Sequence, residues 1–178
     1  MGISLKSLSE GCCEYLESLG CINLDEEKED KRMSSVDKVL ECDDKYIFIE
    51  EKSFLLEYFR LAGERNKTKF CPQNGMVTDE FLNSISELNI ETKKELMNKA
   101  FSDKLLSIGD KVKDTTLILY DKKAGKEKLK NSKIVYLYCN SGTPIDRLLS
   151  ITFNSGKHKE KIVACCDLHK YLEKKGCA

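Results

Sequence analysis

Residues 36–52 read VDKVLECDDKYIFIEEK, and the interpretation of the chain starts from this stretch. Two apolar-rich runs flank the pair Asp43-Asp44, which is typical of a β-hairpin with a tight turn. A turn centred on this pair fixes the register. The opposed residues are then Cys42 and Lys45, Glu41 and Tyr46, Leu40 and Ile47, Val39 and Phe48, and finally Asp37 and Glu50.

The far end of this hairpin concentrates charge. Directly opposed residues have Cβ atoms about 5 Å apart, and two like charges at that distance repel. Lys52 lies two residues after Glu50 and is therefore predicted on the same face as Asp37 and Glu50. Two such carboxylates can share a hard cation such as Mg²⁺, and a lysine beside them can position a water or stabilise a phosphate. An exposed hairpin end, with Lys52 screening two acids, is the alternative in a chain with 34% charged residues.

This arrangement resembles the PD-(D/E)XK, or restriction-endonuclease-like, nucleases. Their pattern is an acidic residue on one strand, a hairpin turn, and an apolar strand that ends in Asp or Glu, any residue, and Lys. Asp37, Glu50 and Lys52 match these positions, and Glu14, on a predicted helix, is the best-placed candidate for the family's frequent fourth acid. The resemblance covers residues 5–65, and Val36 stands where the family name has a proline.

The resemblance implies an α/β fold with a restriction-endonuclease-like core, in which helices flank a mixed central sheet. It further implies Mg²⁺ or Mn²⁺ held by Asp37, Glu50 and the backbone carbonyl of Glu51, with Lys52 positioning the attacking water. The expected activity is hydrolysis of phosphodiester bonds in nucleic acid, with DNA as the expected substrate. Two alternatives stay open: a nuclease-like domain that binds nucleic acid or protein without cleaving, and a structural α/β domain with coincidental acids.

A rival acid-x-Lys motif occurs further along the chain. Asp121-Lys122-Lys123 follows residues 115–120, a predicted strand, and Asp110 and Asp114 lie upstream. No preceding strand and hairpin turn would carry a first acid opposite Asp121. The first motif is therefore preferred.

The remaining patterns complete the expected order of elements. The 178 residues fit one nuclease-like domain with a real core. Residues 78–108 are predicted as a helical insertion in two or three pieces, which could cover a groove or mediate pairing with a second copy or another protein. Further helices are expected at 3–19, 54–63 (capped by Ser53), 145–149 and 167–175, and strands at 21–24, 115–120, 133–139, 151–153 and 161–165.

Charge and cysteine usage bound the partners and the compartment. The net charge is zero, but residues 122–133 carry six lysines against Glu127 alone, a candidate contact for phosphates. No run approaches membrane-spanning length, so no membrane partner is expected. The nine cysteines lack metal-binding spacing and no signal peptide is recognised, which favours reduced thiols and a cytoplasmic location.

Overall fold

The computed structural model of the chain describes residues 2–4, 13–24, 32–105, 108–121, 125–139, 144–155 and 162–177. In chain order the elements are β1 (Ile3–Ser4), α1 (Glu14–Ser18), β2 (Lys38–Glu41), β3 (Tyr46–Glu51), α2 (Phe54–Arg65), β4 (Met76–Val77), α3 (Asp79–Ser86), α4 (Ile90–Leu105), α5 (Ile108–Asp121), α6 (Lys126–Lys130), β5 (Lys133–Tyr138), α7 (Pro144–Ser155), β6 (Ile162–Ala164) and α8 (Leu168–Lys174). Across the described residues, no helix is long and apolar enough to cross a membrane.

The chain divides into two compact units. The first comprises Met1–Cys12, Lys52–Leu105 and Tyr138–Lys159, and the second comprises Cys13–Glu51, Leu106–Leu137 and Glu160–Ala178. The single domain expected from the chain length stays a prediction.

A mixed sheet forms the centre of the second unit. Its strand order is β2-β3-β5-β6, with β2 antiparallel to β3 and β3 parallel to β5. The predicted hairpin register is confirmed from Glu41–Tyr46 through Lys38–Ile49. Cys42 N–H closes the turn by donating to Lys45 O at 2.9 Å. The expected α/β class with a mixed, helix-flanked sheet is thereby confirmed.

Side-chain alternation along β2 and β3 gives this sheet two apolar faces. Leu40, Ile47 and Ile49 lie on one face in a core with Leu16 of α1 and Leu168 of α8. The opposite face carries Val39 and Phe48, which pack with residues of α5 in a second core that includes Ile118 and Leu119. Every residue of β3 is buried, as expected for a strand covered by helices on both faces.

The first unit is mainly helical. Its largest helix contact joins α2 to α4, and α4 also packs on α7. The predicted helix after Ser53 is confirmed as α2, and the predicted helical region 78–108 contains α3 and α4. Thr78 caps α3 as its side chain accepts a hydrogen bond from Phe81 N–H at 3.3 Å.

Three sequence predictions of secondary structure are wrong. Residues 115–120 were predicted as a strand but lie within α5, and residues 151–153 lie within α7. The predicted helix 3–19 begins instead with β1, which pairs with β4, and only α1 of it is described as helix. Residues 5–12 of that prediction lie outside the described part of the chain.

The prediction of reduced thiols is also wrong for part of the chain. Cys13 is bonded to Cys165 and Cys42 to Cys177, all within the second unit, and Cys139 of the first unit is also disulfide-bonded. Among the described residues, the cysteines that are not in disulfides are Cys21, Cys71 and Cys166. The two bridges of the second unit border its first apolar core, where adjacent buried sulfurs pack as hydrophobic groups.

Candidate active site and cation position

The far end of the hairpin is closed by the two acidic side chains that sequence reasoning selected. Asp37 precedes β2 by one residue, and Glu50 is the residue it faces when the β2–β3 register is continued. Asp37 N–H donates to Glu50 Oε2 at 3.2 Å, and Glu51 N–H donates to Asp37 Oδ2 at 2.7 Å. Each carboxylate therefore uses one oxygen to hold the backbone of the opposite strand.

The other two carboxylate oxygens converge on one cation. Lys111 Nζ lies 2.5 Å from Glu50 Oε1 and 4.0 Å from Asp37 Oδ1. Lys111 belongs to the first turn of α5, the helix that packs on this face of the sheet. Two carboxylate oxygens and one ammonium group therefore meet at a single position.

Burial makes this contact energetically important. The Glu50 side chain is fully buried, whereas those of Asp37 and Lys111 are 34% and 23% exposed. A buried carboxylate without partners costs several kcal/mol, on the order of the whole stability of a marginal domain. Here Asp37 N–H and Lys111 Nζ satisfy both Glu50 oxygens. The exposed side of Asp37 leaves the pair open to solvent from one direction.

The neighbouring strand β5 places a tyrosine in line with Asp37 and Glu50 across the sheet, and these three residues form a row. Tyr136 on β5 is the parallel partner of Glu50 and is 5% exposed. Burial raises the pKa of Tyr136, and the negative charge of Glu50 raises it further. Tyr136 therefore remains a neutral hydrogen-bonding group beside the acids at physiological pH. The row lies toward the carboxyl ends of the parallel strands β3 and β5, a usual place for ligand sites in α/β sheets.

Hydrogen bonds from α5 fix the segment that leads into Asp37. Val36 N–H donates to Thr115 Oγ1 at 3.1 Å, and Ser34 N–H donates to Asp114 Oδ2 at 2.9 Å. The helix that supplies Lys111 therefore also positions the backbone before the first acid. Asp114, which sequence reasoning noted only as part of the rival motif, has this structural contact.

Glu14 is not brought to the acidic pair. It lies in α1, which packs through Leu16 on the Leu40–Ile49 face of the sheet. Strand alternation puts Asp37 and Glu50 on the opposite face. Glu14 is exposed. The structure therefore does not bring Glu14 to the acidic pair, and its role as a fourth acid stays a prediction from the resemblance.

The other predicted residues are placed as follows. Glu51 ends β3 and is 8% exposed, with its N–H bound to Asp37. Lys52 directly follows it and is the first residue of the 52–105 segment of the other unit, so its role remains a prediction from sequence. In the rival motif Asp121 ends a helix instead of a strand, and Lys122 and Lys123 lie outside the described residues.

The described part of the basic segment, residues 125–133, lies at the other end of the hairpin. Part of it forms α6, where Lys128 Nζ binds Glu41 Oε1 at 2.6 Å. Asn131 Nδ2 donates to the turn carbonyl of Asp44 at 3.3 Å. The segment therefore contacts the turn, whereas the acids lie at the opposite end of the strands. Any phosphates that it held would be displaced along the hairpin from Asp37.

Sequence reasoning missed Lys111. The signal was present in the spacing of Ile108, Val112, Thr115 and Leu119, which puts apolar residues on one helical face. Lys111 flanks that stripe near the N-terminal end of the helix. Because residues 115–120 were predicted as a strand, the helical spacing from Ile108 to Leu119 was not recognised.

The oxygen atoms at this position suit a hard divalent cation, but the protein would supply only a few of its ligands. Two carboxylate oxygens and the nearby backbone are the oxygen ligands that Mg²⁺ and Mn²⁺ prefer, with waters completing the shell. No group of three or more His, Cys, Asp or Glu in the described ranges is arranged to hold a metal ion. A cation here would depend on two carboxylates, and Lys111 would compete for the same oxygens.

Compared with protein-family models, curated proteins and solved structures, the chain matches none.

Proposed function

We propose that this protein is a Mg²⁺- or Mn²⁺-dependent nuclease that hydrolyses phosphodiester bonds, with DNA as the preferred substrate. The observation that carries the proposal is the convergence of Asp37 Oδ1 and Glu50 Oε1 on one cation position. The restriction-endonuclease-like core belongs to the same proposal and is supported by the confirmed hairpin register.

The proposed chemistry assigns a role to each residue. Asp37, Glu50 and the Glu51 carbonyl hold the divalent cation, which when bound polarises the phosphate and lowers the pKa of water. A water attacks phosphorus, one ester P–O bond breaks, and a phosphate monoester and an alcohol result. Lys52 orients the water, as the family resemblance implies. Once the cation has displaced it from the two carboxylate oxygens, Lys111 supplies positive charge beside the phosphate as negative charge develops there.

A second candidate function is favoured by Lys111 itself. Its ammonium already occupies the position that a divalent cation would need. A domain in which this ion pair is permanent would keep the nuclease-like hairpin without the cation, and would bind nucleic acid or a protein partner without cleaving it. The expected homodimer or protein partner and the cytoplasmic location also remain proposals. The disulfides oppose that location, because disulfides are rare in the cytosol.

Metal-dependent cleavage of circular and linear DNA tests the proposal. We expect Asp37→Asn and Lys52→Ala to reduce turnover by about 100-fold or more, the usual scale for groups that act mainly in the transition state. Asp43→Asn is the matched control because it removes a carboxylate from the same hairpin at the turn end. Absence of cleavage by the wild-type protein with either metal, together with retained DNA binding, would favour the non-catalytic candidate.

A further inference from the structure

The first unit contains a cavity that the proposed nuclease function does not use. Its volume is about 620 Å³, and its lining comes from β1, α2, α3, the start of α4 and α7. Small-molecule sites commonly have volumes of about 300–1,000 Å³ and largely apolar walls. Seven aliphatic residues line the cavity: Ile3, Leu82, Ile85, Ile90, Ile145, Leu148 and Ile151.

Polar groups are few and positive charge predominates. The ionisable side chains of acidic or basic residues along the lining are Asp79, Lys93 and Arg147. Asp79 already has a contact of its own within the structure. Lys93 Nζ donates to Ser86 O at 2.7 Å, which holds its ammonium at the cavity. Arg147 is exposed and forms no ion pair with the described residues.

Exposed aliphatic side chains mark the same region. Ile90 is 53% exposed and Ile151 is 46% exposed, and both line the cavity. Among the described residues, five large hydrophobic side chains are exposed, and two of them lie here. Their exposure is what a site with an apolar ligand would cover.

We propose that this cavity binds a small amphipathic anion whose apolar chain lies against the isoleucine and leucine side chains and whose carboxylate contacts Arg147 and Lys93. The largely apolar wall disfavours a ligand that carries charge along its whole length. The lining carries two positive side chains, Lys93 and Arg147, and one carboxylate, Asp79, which already has a contact. This balance favours an anionic head group over a cationic one. The site lies within the first unit and its proposal does not depend on the acidic pair.

Titration calorimetry with decanoate, below its micellar concentration, tests the assignment on the full-length protein. Decyltrimethylammonium has the same chain length with the opposite charge, and hexanoate has a shorter chain with the same head group. We expect decanoate to bind more tightly than either. Arg147→Gln should weaken decanoate binding by about tenfold, the scale of one lost charged hydrogen bond.

Matched variants separate the site from general charge effects. Lys99→Gln removes one positive charge from the exposed side of α4, away from the lining, and should leave decanoate affinity unchanged. Leu82→Trp fills the cavity and should abolish binding, with thermal unfolding used to verify that this variant folds. Equal binding of decanoate and decyltrimethylammonium, an unchanged affinity in Arg147→Gln, or no binding at all would overturn the proposal.

Discussion

At the scale of single residues, Glu50 shows how a fold can hold a fully buried carboxylate. A carboxylate with no exposed surface needs both oxygens satisfied, and Asp37 N–H and Lys111 Nζ do this. Replacing such pairs by apolar residues is often neutral or stabilising. Stability alone therefore gives no reason for three charges to meet at this point.

Removing the ammonium tests this ion pair. Lys111→Met should lower the free energy of unfolding by about 2 kcal/mol or more, because it leaves Glu50 buried without its charged partner. Glu50→Gln should recover much of that loss in the double variant, a coupling that a double-mutant cycle in urea measures. Lys113→Met, on the exposed side of the same helix, is the control.

The same variants report on the cation. Under the nuclease proposal, Mg²⁺ should raise the Tm of Lys111→Met more than that of wild type, since the ammonium no longer competes for the carboxylates. If Mg²⁺ raised the Tm of Lys111→Met and of Lys113→Met by the same amount, Lys111 would not compete with the metal ion, and the metal would not bind at this ion pair.

Tyr58 gives a pH dependence at the same scale. Its side chain is 1% exposed, and burial raises the pKa of Tyr58 to about 12. Between pH ~10 and ~12 the unfolded chain has lost this proton and the folded chain has kept it, so the free energy of unfolding falls as pH rises, by at most about 1.4 kcal/mol per pH unit. Denaturant unfolding of Tyr58→Phe should show a shallower fall over this range, and an identical slope would contradict the assignment.

At the scale of elements, the hairpin was predicted correctly and α5 was missed. The Asp43-Asp44 turn and the flanking apolar runs determine a register that the structure reproduces. Residues 115–120 contain β-branched and aromatic residues, which favour a strand in a short window. The helix emerges only over fourteen residues, where Thr115, Ile118 and Leu119 are buried and Leu117 and Tyr120 are exposed.

Other elements were missed for related reasons. The β4 strand is two residues long and follows a turn at Asn74-Gly75, where both residues have positive φ. Asn-Gly is a strong hairpin signal, so this turn could have been recognised. The pairing of β1 with β4 joins residues far apart in sequence and could not be read from local pattern.

Thr115 provides a prediction for α5 as a packed element. Its Oγ1 accepts the Val36 N–H, and Thr115 is fully buried. Thr115→Val keeps the shape but leaves this donor without a partner, which should cost about 1–3 kcal/mol. Thr116→Val is the matched control, because Thr116 Oγ1 is bonded to Val112 O within its own helix. Similar free energies of unfolding for the two variants would show that the Val36 contact contributes little.

At the scale of the whole molecule, the chain combines an α/β unit with a mainly helical unit that the sequence indicated only as an insertion. Each unit is built from three segments that are separated in the sequence. Long-range contacts bring these segments together, and the local spacing of apolar residues does not reveal such contacts. In the second unit, Cys165 is bonded to Cys13, which directly precedes α1. Cys177 is bonded to Cys42, which directly follows β2. These bridges span separations of 152 and 135 residues.

Adjacent cysteines make the bridge testable with a close control. Without reductant, Cys165→Ser should lower the free energy of unfolding by about 3–4 kcal/mol. The Cys42–Cys177 bridge remains, so Cys13–Cys165 closes a ring of about 40 residues in the unfolded chain, and the variant leaves that ring open. Cys166→Ser changes a neighbouring, exposed thiol outside the bridges and should have little effect. Full reduction should bring the two variants to similar stability, because the bridge is then absent in both. Equal stability of the two variants before reduction would show that Cys165 is a free thiol in solution, as the sequence alone had predicted.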